Sequence, residues 1–260
     1  MFRLPLGSSR EVATQTTALA AAFATLGVPV RTHRKFRVGT KEDQVTFILG
    51  ESGVLANREI NTSSLHAQYR SGALEAADPR HPLLDCLRAL HNRRCLLDWI
   101  AVGNPYHLAI EATCARTRYI AGAHVQAAAI QQSAIQTTDL SLASALGIVG
   151  IPILRIEGSA PSRRFTLPAT GLDMRGVTLD ASVIQAGILD GTLAGSEPEH
   201  PVLWGRQAVA NYDVLRRVLN AEPTMLFVED DKFGSGRAAL LRENHAGIAM
   251  DHTRRFFARR

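Results

Sequence analysis

With 260 residues, 46% of them apolar and 20% charged, the chain has the composition of a folded globular protein, which excludes disorder as its main character. No apolar run approaches the roughly eighteen residues a membrane helix needs, and the longest, Ala18–Val30 and Ile148–Leu154, are broken by Gly and Pro. The formal charge of +5 belongs to the first half, where residues 1–125 hold 15 Lys and Arg against 10 Asp and Glu. Such a bias permits nucleic-acid binding without requiring it.

In chain order, Met1–Leu6 alternates weakly and reads as a short strand that Pro5 keeps at an edge. Arg10 to Leu26 reads as a helix, capped by Ser8 or Ser9 and ended by Gly27 and Pro29. Val28–Val38 reads as a strand whose residues Arg31, His33, Lys35 and Arg37 project to one side, about 7 Å apart. Gln44–Leu49 completes a hairpin, Gly50–Asn57 reads as loop, and a short helix is predicted near Thr62–Leu74. Asp78-Pro79-Arg80-His81-Pro82 then opens a long helix to Ile100, with His81 at the N-cap and Pro82 in the first turn. Tyr106 to Glu111 and Thr117 to Ile120 read as strands, and Gly122 to Ile135 as helical.

The pattern then restarts. Glu197-Pro198-Glu199-His200-Pro201 repeats the acid-Pro-x-His-Pro element 119 residues later, and Asn211 stands where Asn92 stood. Gly150-Ile151-Pro152-Ile153 matches Gly27-Val28-Pro29-Val30, and Phe165-Thr166-Leu167 matches Phe47-Ile48-Leu49. Blocks recurring in order at a steady offset point to an internal tandem duplication, with units at residues 1–121 and 122–260. If Met1–Leu6 and the Thr117–Ile120 region each supply a leading strand, the α+β unit becomes β-α-β-β-α-β. That is a split-βαβ, ferredoxin-like order with one extra helix. Ala18–Val30 after Arg3 and Arg10 imitates a signal-peptide core, but its counterpart at Ser141–Ile153 assigns it to the fold. Three cysteines, Cys86, Cys95 and Cys114, form no Cys-x-x-Cys pair, which argues for a reducing cytoplasm over a disulfide framework or zinc site.

Chemistry is harder to place. His81 and His200 lack recurring ligand partners, so capping explains them better than metal binding. Asn92 and Asn211 fall in apolar stripes and must find partners, expected in loop backbone of the same unit. Glu229-Asp230-Asp231-Lys232 at a strand end suits a Mg²⁺-dependent phosphodiesterase, yet with Gly234-Ser235-Gly236 it also has the composition of a hairpin loop. No catalytic, metal or cofactor site is assigned. The remaining feature is basic: Arg31, His33, Lys35 and Arg37 on one strand face, Arg163 and Arg164 in the second hairpin, and Arg254, Arg255, Arg259 and Arg260 around Phe256-Phe257. The leading expectation is a cytoplasmic, non-enzymatic protein that contacts the phosphates of DNA or RNA, with no membrane partner. The alternatives are a nuclease at Glu229–Lys232 and an assembly or inhibitor factor that binds another protein.

Overall fold

A computed structural model describes residues 12–36, 43–55, 58–102, 108–113, 116–121, 134–159, 162–172, 177–219, 226–230 and 238–242. The first half opens with β1 (Val12–Thr14), α1 (Thr17–Thr25), β2 (Val30–Phe36) and β3 (Asp43–Leu49). The three strands form an antiparallel sheet in the order β1-β3-β2. The helix expected from Arg10 therefore starts seven residues late. Val12, Ala13 and Thr14 instead pair with Leu49, Ile48 and Phe47, and the Thr16 N–H donates to Thr14 Oγ1 at 3.1 Å. The β-branched threonines 14, 16 and 17 suit this extended entry better than a helix interior.

A hairpin of β4 (Ser52–Leu55) and β5 (Arg58–Asn61) occupies the expected loop. Gly53 permits it, because a Cβ there would stand 2.7 Å from the carbonyl carbon and oxygen of Gly27. One expected helix is split in two, α2 (Thr62–Ser71) and α3 (Ala73–Ala77), at Gly72, which takes a left-handed φ of 78°. Then come α4 (Pro82–Val102) and a hairpin of β6 (Leu108–Thr113) with β7 (Arg116–Ala121).

The second half contains β8 (Ala134–Thr137), α5 (Leu140–Leu146) with a 3-10 turn over Gly147–Val149, β9 (Arg155–Glu157) and β10 (Arg164–Pro168). It continues with β11 (Thr170–Leu172), β12 (Thr178–Asp180), α6 (Ala181–Leu189), α7 (Thr192–Ser196), α8 (Pro201–Leu219), β13 (Leu226–Asp230) and β14 (Ala238–Arg242). Its sheet, β8-β10-β9, has the strand order of the first, and β11-β12 and β13-β14 are hairpins in turn. The architecture is mixed α+β, with helices and small antiparallel sheets. The strands that lead into α1 and α5 are Val12–Thr14 and Ala134–Thr137, whereas Thr117–Ile120 lies within β7. Met1–Leu6 lies outside the described residues, as do 122–133 of the expected Gly122–Ile135 helix; Ala134 and Ile135 are strand.

The two long helices, α4 and α8, pack on each other, with α1 and α5 beside them. Their close approach uses small side chains, with Cys86 Sγ at the Trp204 carbonyl and Ala89 beside Gly205. Each half also reaches into the other. α1 packs more extensively on α8 than on α4, β14 packs on α1 and α8, and β7 packs on α4 and the 3-10 turn. One buried cluster consequently draws Phe23, Phe47 and Leu83 from the first half and Phe165, Leu146 and Ile151 from the second. A fully buried phenylalanine stabilises such a core by about 2–3 kcal/mol.

Asn92 and Asn211 are buried, and each reaches a partner in the other half. Asn92 Nδ2 donates to the Ser144 carbonyl at 3.1 Å, and Asn211 Nδ2 to Thr25 Oγ1 at 2.9 Å. Beside them Arg93 pairs with Asp213 and lies 5.0 Å from the centre of the Tyr212 ring, again across the two long helices.

Candidate interaction surface

The acid-Pro-x-His-Pro elements are helix entries. His81 Nδ1 accepts the Leu83 N–H at 3.2 Å, and His200 Nδ1 accepts that of Val202 at 3.3 Å. Each satisfies a donor that the start of α4 or α8 would otherwise leave open. Burial pushes the pKa of His81 below its ordinary 6.5, against the opposing pull of Asp78. A neutral ring is the form that can accept at Nδ1.

The basic residues are not gathered into one described surface. Arg31 is exposed on β2, an outer strand of its sheet. His33 and Lys35 lie on the same strand, but their side chains are outside the described residues, as is all of Arg37. The strand carrying Glu229 and Asp230, β13, packs beside β2, so carboxylate-bearing chain from the second half accompanies the basic strand. Arg163 is half-buried in the turn before β10, and Arg164 is exposed at its start, paired in register with Glu157. Nearby Arg155 is already matched by Glu157 at 2.7 Å. Arg254, Arg255, Arg259 and Arg260 lie outside the described residues, and so do Asp231 and Lys232. Among the described residues no group of three or more His, Cys, Asp and Glu side chains is placed to hold a metal ion, and no helix is long and apolar enough to cross a membrane.

A different surface emerges from comparing matched positions of the two halves. α2 and α6 begin alike: Asn61 Oδ1 accepts from the Ser64 N–H at 2.9 Å, and Asp180 Oδ1 from the Val183 N–H at 3.2 Å. Both helices pass into the next through a left-handed glycine, Gly72 or Gly191. They bury matched residues, Leu65 or Ile184 and then Leu74 or Leu193. With the register fixed, the outer faces can be read against each other. Helical spacing puts Val183, Ala186 and Leu189 on one face. Val183 is 65% exposed and Leu189 78%, and Val177, just before β12, is 53% exposed. Their counterparts in the first half are Ser64, Ala67, Arg70 and Arg58. The first half thus forms its helix at the corresponding positions with polar or charged side chains at three of the four, and water does not favour apolar ones.

Acidic groups stand at both ends of α6. Asp180 accepts from the Ser182 hydroxyl and from the backbone N–H groups of Val183 and Ser182, which hold its carboxyl below the usual 3.8. The backbone N–H and hydroxyl of Thr192 do the same for Asp190. Glu197 and Glu199 follow, both exposed, in the turn after α7. Composition and motif reading passed over this face because it carries no charge cluster or motif. The signal was available at positions 64 and 183 and at 70 and 189, once the halves were aligned. No family model, curated protein or solved structure matches the chain.

Proposed function

We propose that this is a binding protein that holds another protein on the outer face of α6, and that it arose by internal duplication of a split-βαβ unit. The duplication is supported by the recurrence of β1-β3-β2 as β8-β10-β9, and by matched caps at Asn61 and Asp180 and at His81 and His200. A fourth strand beside β1, which a complete ferredoxin-like sheet would carry, is not among the described pairings. The binding role is carried by one observation. Val177, Val183 and Leu189 are exposed where the matched residues of the first half are Arg58, Ser64 and Arg70. Exposed apolar side chains that share one helix face, as Val183 and Leu189 do, support an interaction site there.

The test replaces Val183 and Leu189 with their first-half counterparts, as Val183→Ser with Leu189→Arg. Thermal stability should stay within a degree or two, since exposed substitutions change folding little. A partner that co-purifies with the wild-type chain from its native cell should be lost. Retention of that same partner at wild-type level by the double variant would sink the reading.

A second reading keeps phosphate contact by the basic residues, favoured by the exposure of Arg31 on outer strand β2 and of Arg164 on β10. It requires binding to DNA or RNA that weakens steeply with salt and is lost when Arg31, Lys35 and Arg37 are changed to Glu.

A further inference from the structure

We infer that Cys95 and His91 form a reactive thiol–base pair on α4, a site where a small-molecule disulfide exchanges with the Cys95 sulfur. The two residues stand one helical turn apart, and Cys95 Sγ lies 3.5 Å from His91 Nε2. His91 is exposed and Cys95 half-buried, so the pair sits at the surface of the helix. The second half forms α8 with Ala210 and Val214 at the matched positions, where neither side chain can give or take a proton. The pair belongs to the first half alone, and the inference stands apart from the role given to α6.

A thiol is mostly protonated at neutral pH, whereas the thiolate is the nucleophile. With the imidazole proton on Nδ1, Nε2 accepts the thiol proton, and the resulting imidazolium sits against the thiolate. The thiolate then attacks one sulfur of the disulfide. The new bond to Cys95 Sγ forms as the S–S bond breaks, the departing sulfur takes the electron pair, and the proton held at Nε2 passes to it. Cys95 is oxidised to a mixed disulfide, the departing half is reduced to a thiol, and nothing else is consumed. Excess thiol runs the same steps backwards.

The surroundings narrow what acts on the sulfur and what it can join. The flanking guanidiniums have carboxylates of their own: Arg88 meets Glu75 at 2.6 Å, Arg93 pairs with Asp213, and Arg94 lies 3.8 Å from Asp98. Activation of the sulfur is therefore assigned to the imidazole it contacts. Cys86, buried and nine residues away on the same helix, cannot close a disulfide with Cys95. That spacing advances about 13 Å along the axis, roughly twice the largest Cα separation a disulfide spans. A metal ion needs more ligands than this pair, and among the described residues no group of three or more His, Cys, Asp and Glu is placed to hold one. Cys114 lies outside the described residues.

The experiment exposes the full chain at neutral pH to dithiodipyridine, an uncharged aryl disulfide. Samples are quenched with acid, and tandem mass spectrometry of the peptides assigns each adduct to its cysteine. Cys95 should gain one thiopyridyl group ahead of Cys86 and lose it to dithiothreitol. His91→Ala should slow the Cys95 adduct about tenfold, and imidazole added to the buffer should restore part of that rate. The substitution is at an exposed position, so thermal denaturation should change little, which separates a slower adduct from misfolding. Equal Cys95 rates in wild type and His91→Ala would overturn the inference, as would an adduct that forms only in denaturant. Loss of the Cys95 thiol with no added group would show a disulfide to Cys114. Protection of Cys95 by Zn²⁺ alone, present in wild type and absent in His91→Ala, would show a pair of metal ligands. Either result overturns the exchange site.

Discussion

Asn211, in the middle of α8, donates from Nδ2 to Thr25 Oγ1 on α1 at 2.9 Å, a bond that joins residues 186 apart in sequence. Thr25 in turn donates its hydroxyl proton to the Ala21 carbonyl at 2.9 Å, which leaves an oxygen lone pair aimed at the amide. The counterpart, Asn92 on α4, reaches the Ser144 carbonyl on α5. Each long helix is therefore tied to the first helix of the other half. Two tandem units packed as separate beads would not need a buried amide at this position. Here each amide lies among buried apolar side chains, where an unpaired amide is costly, and is bonded to the other half.

Replacing Asn211 by Ala should destabilise the whole chain by about 1–3 kcal/mol, since it removes a buried hydrogen bond and exposes a partner to desolvation without pairing. A double-mutant cycle with Thr25→Val, read by urea denaturation, should give a coupling of about 1 kcal/mol. A single cooperative transition should persist in each variant, because the core is shared between halves. Additive effects of the two substitutions would show that the bond contributes nothing.

How far the sequence carried this architecture depends on which contacts are local. The order of elements and the entries to α4 and α8 were legible, because His81 and His200 bond residues two positions away. The partners of Asn92 and Asn211 were not, since an apolar stripe shows that a helix is covered without naming the cover. Val12–Thr14 was misassigned for a related reason: its strand state depends on pairing with Phe47–Leu49, far along the chain. The candidate surface was written in Val183 and Leu189, but apolar residues on a predicted helix are ordinarily core. Only their exposure in the folded chain separates the two cases.

His81 should behave as a replaceable cap. His81→Ala should cost about 0.5–2 kcal/mol, the usual loss for an N-cap, and His81→Asn should recover most of it because Asn can accept the same N–H. His200→Ala should give a loss of the same size, measured by the shift in denaturation midpoint. A metal-binding role predicts instead that Asn fails like Ala and that added Zn²⁺ stabilises only the wild type.

Stability should fall in two stages on acidification. Burial lowers the pKa of His81, and burial followed by the nearby charge of Arg70 lowers that of His66, both from 6.5. A depressed histidine favours folding fully above its unfolded pKa, so this contribution is lost as pH falls through 6.5 and below. At Asp139 burial would raise the carboxyl pKa, but the Ser141 hydroxyl, Arg206 and the Leu142 N–H together outweigh it and bring it below 3.8. That contribution is present above 3.8 and disappears as pH drops past it. Denaturation midpoints between pH 8 and 3 should show both stages. His81→Asn should flatten the first, and Asp139→Asn the second.

Two glycine substitutions should fail for different physical reasons. At Gly191, φ is 82° and nothing lies within 4 Å of an added Cβ, so Gly191→Ala meets only backbone strain, costing about 1–2 kcal/mol. Gly191→Asn should cost less, because Asn visits the left-handed region more readily. At Gly205 the helix conformation suits any residue, but a Cβ would fall 2.6 Å from Ile148 Cδ1, 2.8 Å from Ala89 Cβ and 3.2 Å from Ala145 Cβ. Gly205→Ala gains helix propensity of about 1 kcal/mol and loses about 1–3 kcal/mol to overpacking, so destabilisation should win. The interlocked packing makes the second case partly reparable: Ile148→Val and Ala89→Gly remove the two nearest of the three atoms that the new methyl would meet. Adding them to Gly205→Ala should restore part of its stability, whereas adding them to Gly191→Ala should only worsen it. Equal responses of the two backgrounds in thermal denaturation would mean that the close approach of α4 and α8 does not limit Gly205.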